Sequence, residues 1–184
     1  MKAYDFILFG GTGQQGSICA RDLLESGYNV LLVGRDSKKI QNLLKHEKAC
    51  FVRVDLRNEA DIVKAIKASR AKVVINCAEL LFNVAVMNAC LKARKPCTDL
   101  GGLQYITLKQ FKLDNSFRNA GILCITGCGS TPGISNIMTA YAVKKFNSID
   151  TITLGFAWDS NIKTFIVPYS MQSIFDEFSQ IPVV

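Results

Sequence analysis

Between residues 10 and 16 the chain reads Gly-Gly-Thr-Gly-Gln-Gln-Gly, directly after an apolar run from Tyr4 to Phe9 that only Asp5 interrupts. A run with apolar residues on both faces suits a strand buried on both sides of a parallel sheet. Beyond the glycines, Ile18, Leu23 and Leu24 mark one face of a helix that stops at Gly27, and Tyr28 to Val33 makes a second strand. Strand, glycine turn, helix and strand together form a unit of about thirty residues. Its strands must be parallel, because a helix lies between them, and the crossover must be right-handed.

The same alternation continues. Asp36 or Ser37 caps a second helical pattern through Ile40, Leu43 and Leu44, followed by a strand from Ala49 to Val54. Asn58, with Glu59 and Asp61 in the first turn, opens a helix carrying Ile62, Val63 and Ile66, and Lys72 to Asn76 is the fourth strand. A helix from about Asn83 to Ala93 precedes a short strand from Pro96 to Leu100. Leu103 to Asn119 reads as one long helix with Leu108, Phe111 and Phe117 inward, and Ile122 to Thr126 as the sixth strand. Thr131-Pro132 has the form of an N-cap and a first-turn proline, opening a helix to about Phe146. Six strands alternating with helices predict an α/β fold, a doubly wound parallel sheet in the order 3-2-1-4-5-6. Residues 1–148 form this domain. From Asp150 to Trp158 the residues alternate as in a half-buried strand, which places the beginning of a second, α+β domain at 149–184. Within it, a strand at Thr164–Val167 and a short helix near Ser173–Phe178 are expected, without a core of their own.

Composition narrows the function classes. At 49% hydrophobic and 20% charged, the 184 residues describe a chain that folds around a core. No apolar run is long enough to span a membrane, and the charged start Met1-Lys2-Ala3-Tyr4-Asp5 lacks a signal peptide's apolar stretch, which points to the cytoplasm. Seven scattered cysteines with no CxxC pair encode neither a disulfide framework nor a metal site, and they read as buried small hydrophobes. The net charge of +7 resides in the first domain, since residues 151–184 hold one lysine against three acids. Its cations are spread along helices without runs or interleaved aromatics, a pattern of solvated surface and of a phosphate-bearing small ligand rather than of nucleic acid.

The glycine turn supplies the chemistry. In a strand-to-helix context Gly11 allows the tight turn, Gly13 the close approach of a pyrophosphate, and Gly16 the packing of helix on strand. The segment Gly11, Thr12, Gly13, Gln14, Gln15 and Gly16 therefore reads as a dinucleotide cradle, with free N–H groups and a helix dipole facing the anion. At the end of the second strand, Gly34 stands where NAD binders place a carboxylate. Arg35, Ser37, Lys38 and Lys39 follow, a group suited to a 2′-phosphate, which favours NADP over NAD. Asp36 remains open as a ribose ligand for NAD. After the third strand Asp55-Leu56 is placed to meet the adenine, and after the fourth Asn76-Cys77-Ala78 to line the nicotinamide ribose. Asp55 or Asn76 could instead serve as a turn cap.

The blocks GGTGQQG, VINCA with FNVAVMNACLKA, CTDLGG, GCGSTPGISNIM and PYSMQSIFDEF together resemble the saccharopine dehydrogenase family. The resemblance implies a Rossmann domain coupled to a second α+β domain, and an NAD(P)-dependent oxidoreductase acting on a carbon–nitrogen bond of an amino acid or polyamine-like compound. By position it carries Asn76, Cys77 and Ala78 onto a cofactor-lining loop, Asp99, Leu100 and Gly101 onto the next, and Gly127 with Pro132-Gly133 onto the segment facing the nicotinamide. Thr131 departs from the family's Asp before Pro-Gly, so the substrate of better-known members does not transfer. A homodimer through the second domain is the expected association. On this reading 149–184 is incomplete as a substrate domain, and the chain alone is expected to bind cofactor without turnover.

Two readings compete. Tyr141 and Lys145 have the YxxxK spacing of short-chain dehydrogenases, although Ile134, Ile137, Met138, Tyr141 and Ala142 share a helical face that suits a core position. A dinucleotide-binding module without turnover, serving redox sensing or docking, is the other. His46, among Lys45, Glu47 and Lys48, reads as a solvated residue, and the catalytic acid or base is unassigned.

Overall fold

The computed structural model describes residues 3–155, together with Lys163, Phe175 and Ser179. Backbone contacts divide the chain into two units, Met1–Asn147 and Ser148–Val184. In the first, strands β1 (Phe6–Phe9), β2 (Val30–Gly34), β3 (Ala49–Arg53), β4 (Val73–Asn76), β5 (Cys97–Asp99) and β6 (Cys124–Ile125) form one sheet. Their order is β3-β2-β1-β4-β5-β6 and all pairs are parallel, so the fold is the doubly wound Rossmann arrangement. The order reverses between β1 and β4, which opens a crevice at their carboxyl ends.

Helices α1 (Gln14–Glu25), α2 (Glu59–Ser69), α3 (Asn83–Ala93), α4 (Gln104–Phe111), α5 (Asp114–Ala120) and α6 (Ile134–Ala142) connect or follow the strands. The alternation of β1 divides the core between the faces. Ile7 and Phe9 join Ile62, Ile66, Val86 and Phe117 on one side. Leu8 joins Ala20, Leu24, Leu32 and Ile40 on the other. Asn58 caps α2 as its sequence position predicts, its Oδ1 accepting from the Ala60 amide at 3.1 Å.

Several local expectations are corrected. In α1 the buried positions are Gly16, Ala20 and Leu24, spaced four apart, while Ile18 points outward. Gly16 sets this rotation, because a Cβ there would collide with the Gly10 carbonyl. The helix expected between β2 and β3 is instead a pair of 3-10 turns, Lys38–Ile40 and Leu43–Lys45, with only Ile40 buried. The segment 103–119 breaks at Lys112-Leu113 into α4 and α5. Ile106 and Gln110, one turn apart, face inward, so Leu108 and Phe111 fall on the outer side of α4 and only Phe117 is buried. Helix α6 begins after Gly133, not at Pro132: Thr131-Pro132 is a cis peptide, and the Asn136 side chain accepts the Gly133 N–H at 2.9 Å. The apolar residues of its shared face, Ile134, Ile137, Met138 and Tyr141, are 60–72% exposed rather than in a core.

In the second unit, residues 150–155 are not in a strand, and 151–155 are exposed. A half-buried strand needs a neighbour to bond, and among the described residues none pairs with this segment. The strand expected at Thr164–Val167, the helix near Ser173–Phe178 and the segment Pro168-Tyr169-Ser170 lie outside the described residues. No described helix is long and apolar enough to cross a membrane.

Candidate functional site

The glycine turn joins β1 to α1 at the edge of the crevice. Gly13 is the N-cap of α1, with no side chain capping the helix and no acidic residue in its first turn. The first-turn amides of Gln14, Gln15 and Gly16 precede any intrahelical acceptor, so they point out of the helix end as free donors. The glycines differ in what surrounds them. A Cβ on Gly10 would stand 2.5 Å from the Ala78 nitrogen, and one on Gly11 2.9 Å from a Leu32 methyl. A Cβ on Gly16 would meet Gly10 itself. On Gly13 it would meet one atom, the Gly10 carbonyl oxygen at 3.2 Å, and otherwise open space. Three glycines are therefore required by the protein's own packing, while Gly13 keeps a space free in front of a row of donors. A pyrophosphate fits that space and that polarity.

Thr12 leans across to β2, where a Cβ on Gly34 would strike its side chain. Gly34 is thus needed for packing as well as lacking a carboxylate. Arg35 and Asp36 are exposed and Ser37 half-buried just beyond it. Asp36 Oδ1 accepts the Lys38 amide at 2.9 Å and so closes the following turn. At the neighbouring strand end, Asp55 does not stand free toward an adenine. Its carboxylate takes Arg57 Nε at 2.9 and 3.0 Å, the Arg57 backbone amide at 3.0 Å, and Arg57 Nη2. The side-chain bonds from Arg57, then its amide and the charges of Arg57 and Arg35, hold the Asp55 carboxyl well below the usual range. Leu56 beside it is half-buried, packed on one side against the core.

On the other side of the switch point, Asn76 and Asp99 are opposite one another in register, the last residues of β4 and β5, and both are buried. Asn76 Oδ1 accepts the Ala78 amide at 3.1 Å and its Nδ2 donates to Asn83 Oδ1 at 2.8 Å. Asn83 Nδ2 donates onward to the Gly101 carbonyl at 3.4 Å. Asp99 Oδ1 accepts the amides of Gly101 at 2.7 Å and Gly127 at 3.1 Å, and its Oδ2 accepts Gln110 Nε2 at 2.6 Å. These side chains shape the loops after β4, β5 and β6 and leave the loop backbone to face a ligand. The Cys77 amide donates to Phe9 O at 2.9 Å, which seats the loop on β1. Its thiol meets Cys19 of α1; that contact, and then burial, push the Cys77 thiol up, while the same contact holds Cys19 below its ordinary value against the opposing effect of burial.

The sequence did not single out Asn83, Gln110 or Arg57 as site residues. Asn83 could have been found as the one polar side chain opening the apolar helix FNVAVM. Gln110 could have been found one turn beyond Ile106. Nothing in the sequence distinguishes Arg57 from other surface arginines.

In the short-chain dehydrogenase pair the lysine acts on the phenol of the tyrosine. Here the Lys145 ammonium lies 5.0 Å from the centre of the tyrosine ring, over its face, and Tyr141 is exposed. Among the cysteines only Cys90 and Cys97 are buried, and Cys128 is exposed where Thr98 Oγ1 donates to its sulfur at 3.1 Å. The expectation that all seven are core hydrophobes is corrected for it, because the turn after β6 carries it past the sheet. His46 is half-buried, and its Nδ1 accepts the Lys48 amide at 3.2 Å. No group of side chains suited to a metal ion occurs among the described residues.

Comparison with known proteins agrees with this geometry. Residues 6–125 match the family model of the saccharopine dehydrogenase NADP binding domain. The chain is 28% identical over 149 residues to carboxyaminopropylagmatine dehydrogenase of Synechocystis sp., covering 75% of this chain and 37% of that protein. It is 32% identical over 102 residues to carboxynorspermidine synthase of Vibrio cholerae, covering 50% and 25% respectively. Among solved structures, saccharopine dehydrogenase (L-Glu forming) from Saccharomyces cerevisiae superposes with a TM-score of 0.63 at 17% identity, over 78% of this chain and 31% of that one. The chain thus spans roughly a quarter to two fifths of the length of these relatives. With the glycine cradle, the switch-point crevice and the match over 6–125, the chain belongs to the saccharopine dehydrogenase family and holds its NADP-binding domain.

Proposed function

We propose that this chain is the cofactor-binding part of an NADP-dependent oxidoreductase acting on a carbon–nitrogen bond of an amino acid or polyamine-like substrate. The space in front of Gly13, faced by the first amides of α1, carries the reading. In this reading Gly11 to Gly16 hold the pyrophosphate, and Arg35 and Ser37 the 2′-phosphate. Leu56 borders the adenine, and the backbone of Asn76, Cys77, Ala78, Asp99 and Gly101 lines the nicotinamide side. The bound nicotinamide supplies or accepts the hydride. The chain's own residues orient it: Asp99 and Asn76 fix the loops on which the ring would rest, and helix α1 neutralises the pyrophosphate.

The named relatives support the substrate class, since their names describe carboxylated polyamine-type amines. The break of the sheet rhythm near residue 148 supports a second domain from 149 onward, the expected seat of the substrate contacts and of pairing with a second copy. Calorimetric titration of the purified chain with NADPH and NADH tests the proposal. Binding of NADPH in preference to NADH is expected, and no binding of either would overturn it.

A further inference from the structure

The ends of β2 and β3 hold more positive charge than one phosphate-binding arginine explains. The Val54 amide donates to the Gly34 carbonyl at 3.1 Å, so Arg35 and Asp55 leave adjacent strands side by side. Asp55 feels the charge of Arg35. Its own acceptor positions, two on each oxygen, are met by donors from Arg57 alone. That leaves nothing with which to accept an adenine amino group. Arg57, in turn, uses the edge formed by Nε and Nη2, and its side chain is 77% exposed.

A 2′-phosphate carries about −1.5 to −2 charges at neutral pH and offers more acceptor positions than one guanidinium fork can fill. Asp36, the nearest carboxylate on β2's side, is turned to the Lys38 amide. Thr12 packs beneath Gly34, so this strand end is continuous with the glycine cradle.

Resting on the cofactor reading above, we propose that Arg57 is the second guanidinium of the 2′-phosphate subsite, and that Asp55 positions it rather than binding the adenine. The pair orients a rigid fork beside Arg35 before the ligand arrives.

The probes are 2′,5′-ADP and 5′-AMP, which differ by the phosphate in question, titrated calorimetrically into the full chain. Arg57→Ala should weaken 2′,5′-ADP about tenfold and 5′-AMP less than about twofold. Arg57→Lys, which keeps the charge without the fork, should recover part of the loss. Asp55→Asn should weaken 2′,5′-ADP selectively, whereas an adenine ligand would lose affinity for both probes equally. Asp55→Glu should restore most of that selectivity. Thermal unfolding of each variant should stay near that of the parent, since an exposed pair contributes little to stability. Failure of the parent chain to bind either probe would overturn the cofactor reading along with this one. Binding by the parent with Arg57→Ala unaffected, or Asp55→Asn equally harmful to both probes, would overturn this inference alone.

Discussion

Asp99 and Gln110 are joined by a 2.6 Å hydrogen bond between two side chains that are both almost wholly buried. The same carboxylate holds the amides of Gly101 and Gly127, so one side chain ties together the loops after β5 and β6 and helix α4. Removing it would leave the buried Gln110 Nε2 and the two part-buried amides of Gly101 and Gly127 without this acceptor. Asp99→Ala is expected to lower unfolding free energy by about 3 kcal/mol or more, measured by urea denaturation. A loss below about 1 kcal/mol would show that water replaces the carboxylate and that the loops do not depend on it.

Gly13 and Gly16 should separate binding from folding. Gly16→Ala places a methyl group against the Gly10 carbonyl and should reduce stability markedly, seen as a lower melting temperature. Gly13→Val meets mostly open space and has an extended φ of −83°, so the chain should stay folded. Its NADPH titration should nevertheless show no binding, because the side chain occupies the pyrophosphate's place. Retained affinity in Gly13→Val would remove the cradle assignment.

Arg35 is the residue proposed to hold the cofactor's 2′-phosphate. Arg35→Ala should weaken NADPH by about 1.5–3 kcal/mol and leave NADH nearly unchanged, the scale of a hydrogen bond to a charged group. Equal losses for both cofactors would make Arg35 a general contact.

Acid should loosen the bottom of the sheet. Asp5 accepts from Lys72 Nζ at 2.8 Å and the Asn29 amide at 2.9 Å, and these bonds, Lys72 first, lower its pKa in the folded chain. A depressed folded pKa stabilises the fold fully above the unfolded value, about 3.9, and that stabilisation is lost as pH falls from there through the folded value. Urea midpoints measured between pH 5 and 2 should therefore fall less steeply for Asp5→Asn than for the parent. Identical slopes would mean that Asp5 is bonded equally in the unfolded chain.

How far the sequence could be read depended on the kind of information each element carries. Strand and helix alternation survived because it is written in local apolar periodicity, and the right-handed crossover then leaves few sheet orders. The Asn58 cap was legible for the same reason, since its partner is two residues away. Leu108 and Phe111 were misplaced because an apolar residue records only that it could be buried. Which face of α4 turns inward was set by Ile106, Gln110 and the buried carboxylate they approach.

By itself the sequence determined the doubly wound sheet and the glycine turn at its first strand. Those features follow from bonds and periods within a few residues of chain. Only the tertiary structure decided which glycine leaves room for a ligand, because that depends on Ala78 and Leu32 arriving from distant segments. It also brought Asn76 to Asn83, and Asp99 to Gln110 and the Gly127 amide. A polar side chain's partner beyond its own turn is chosen by what the fold brings within hydrogen-bonding reach, and no spacing along the chain encodes it.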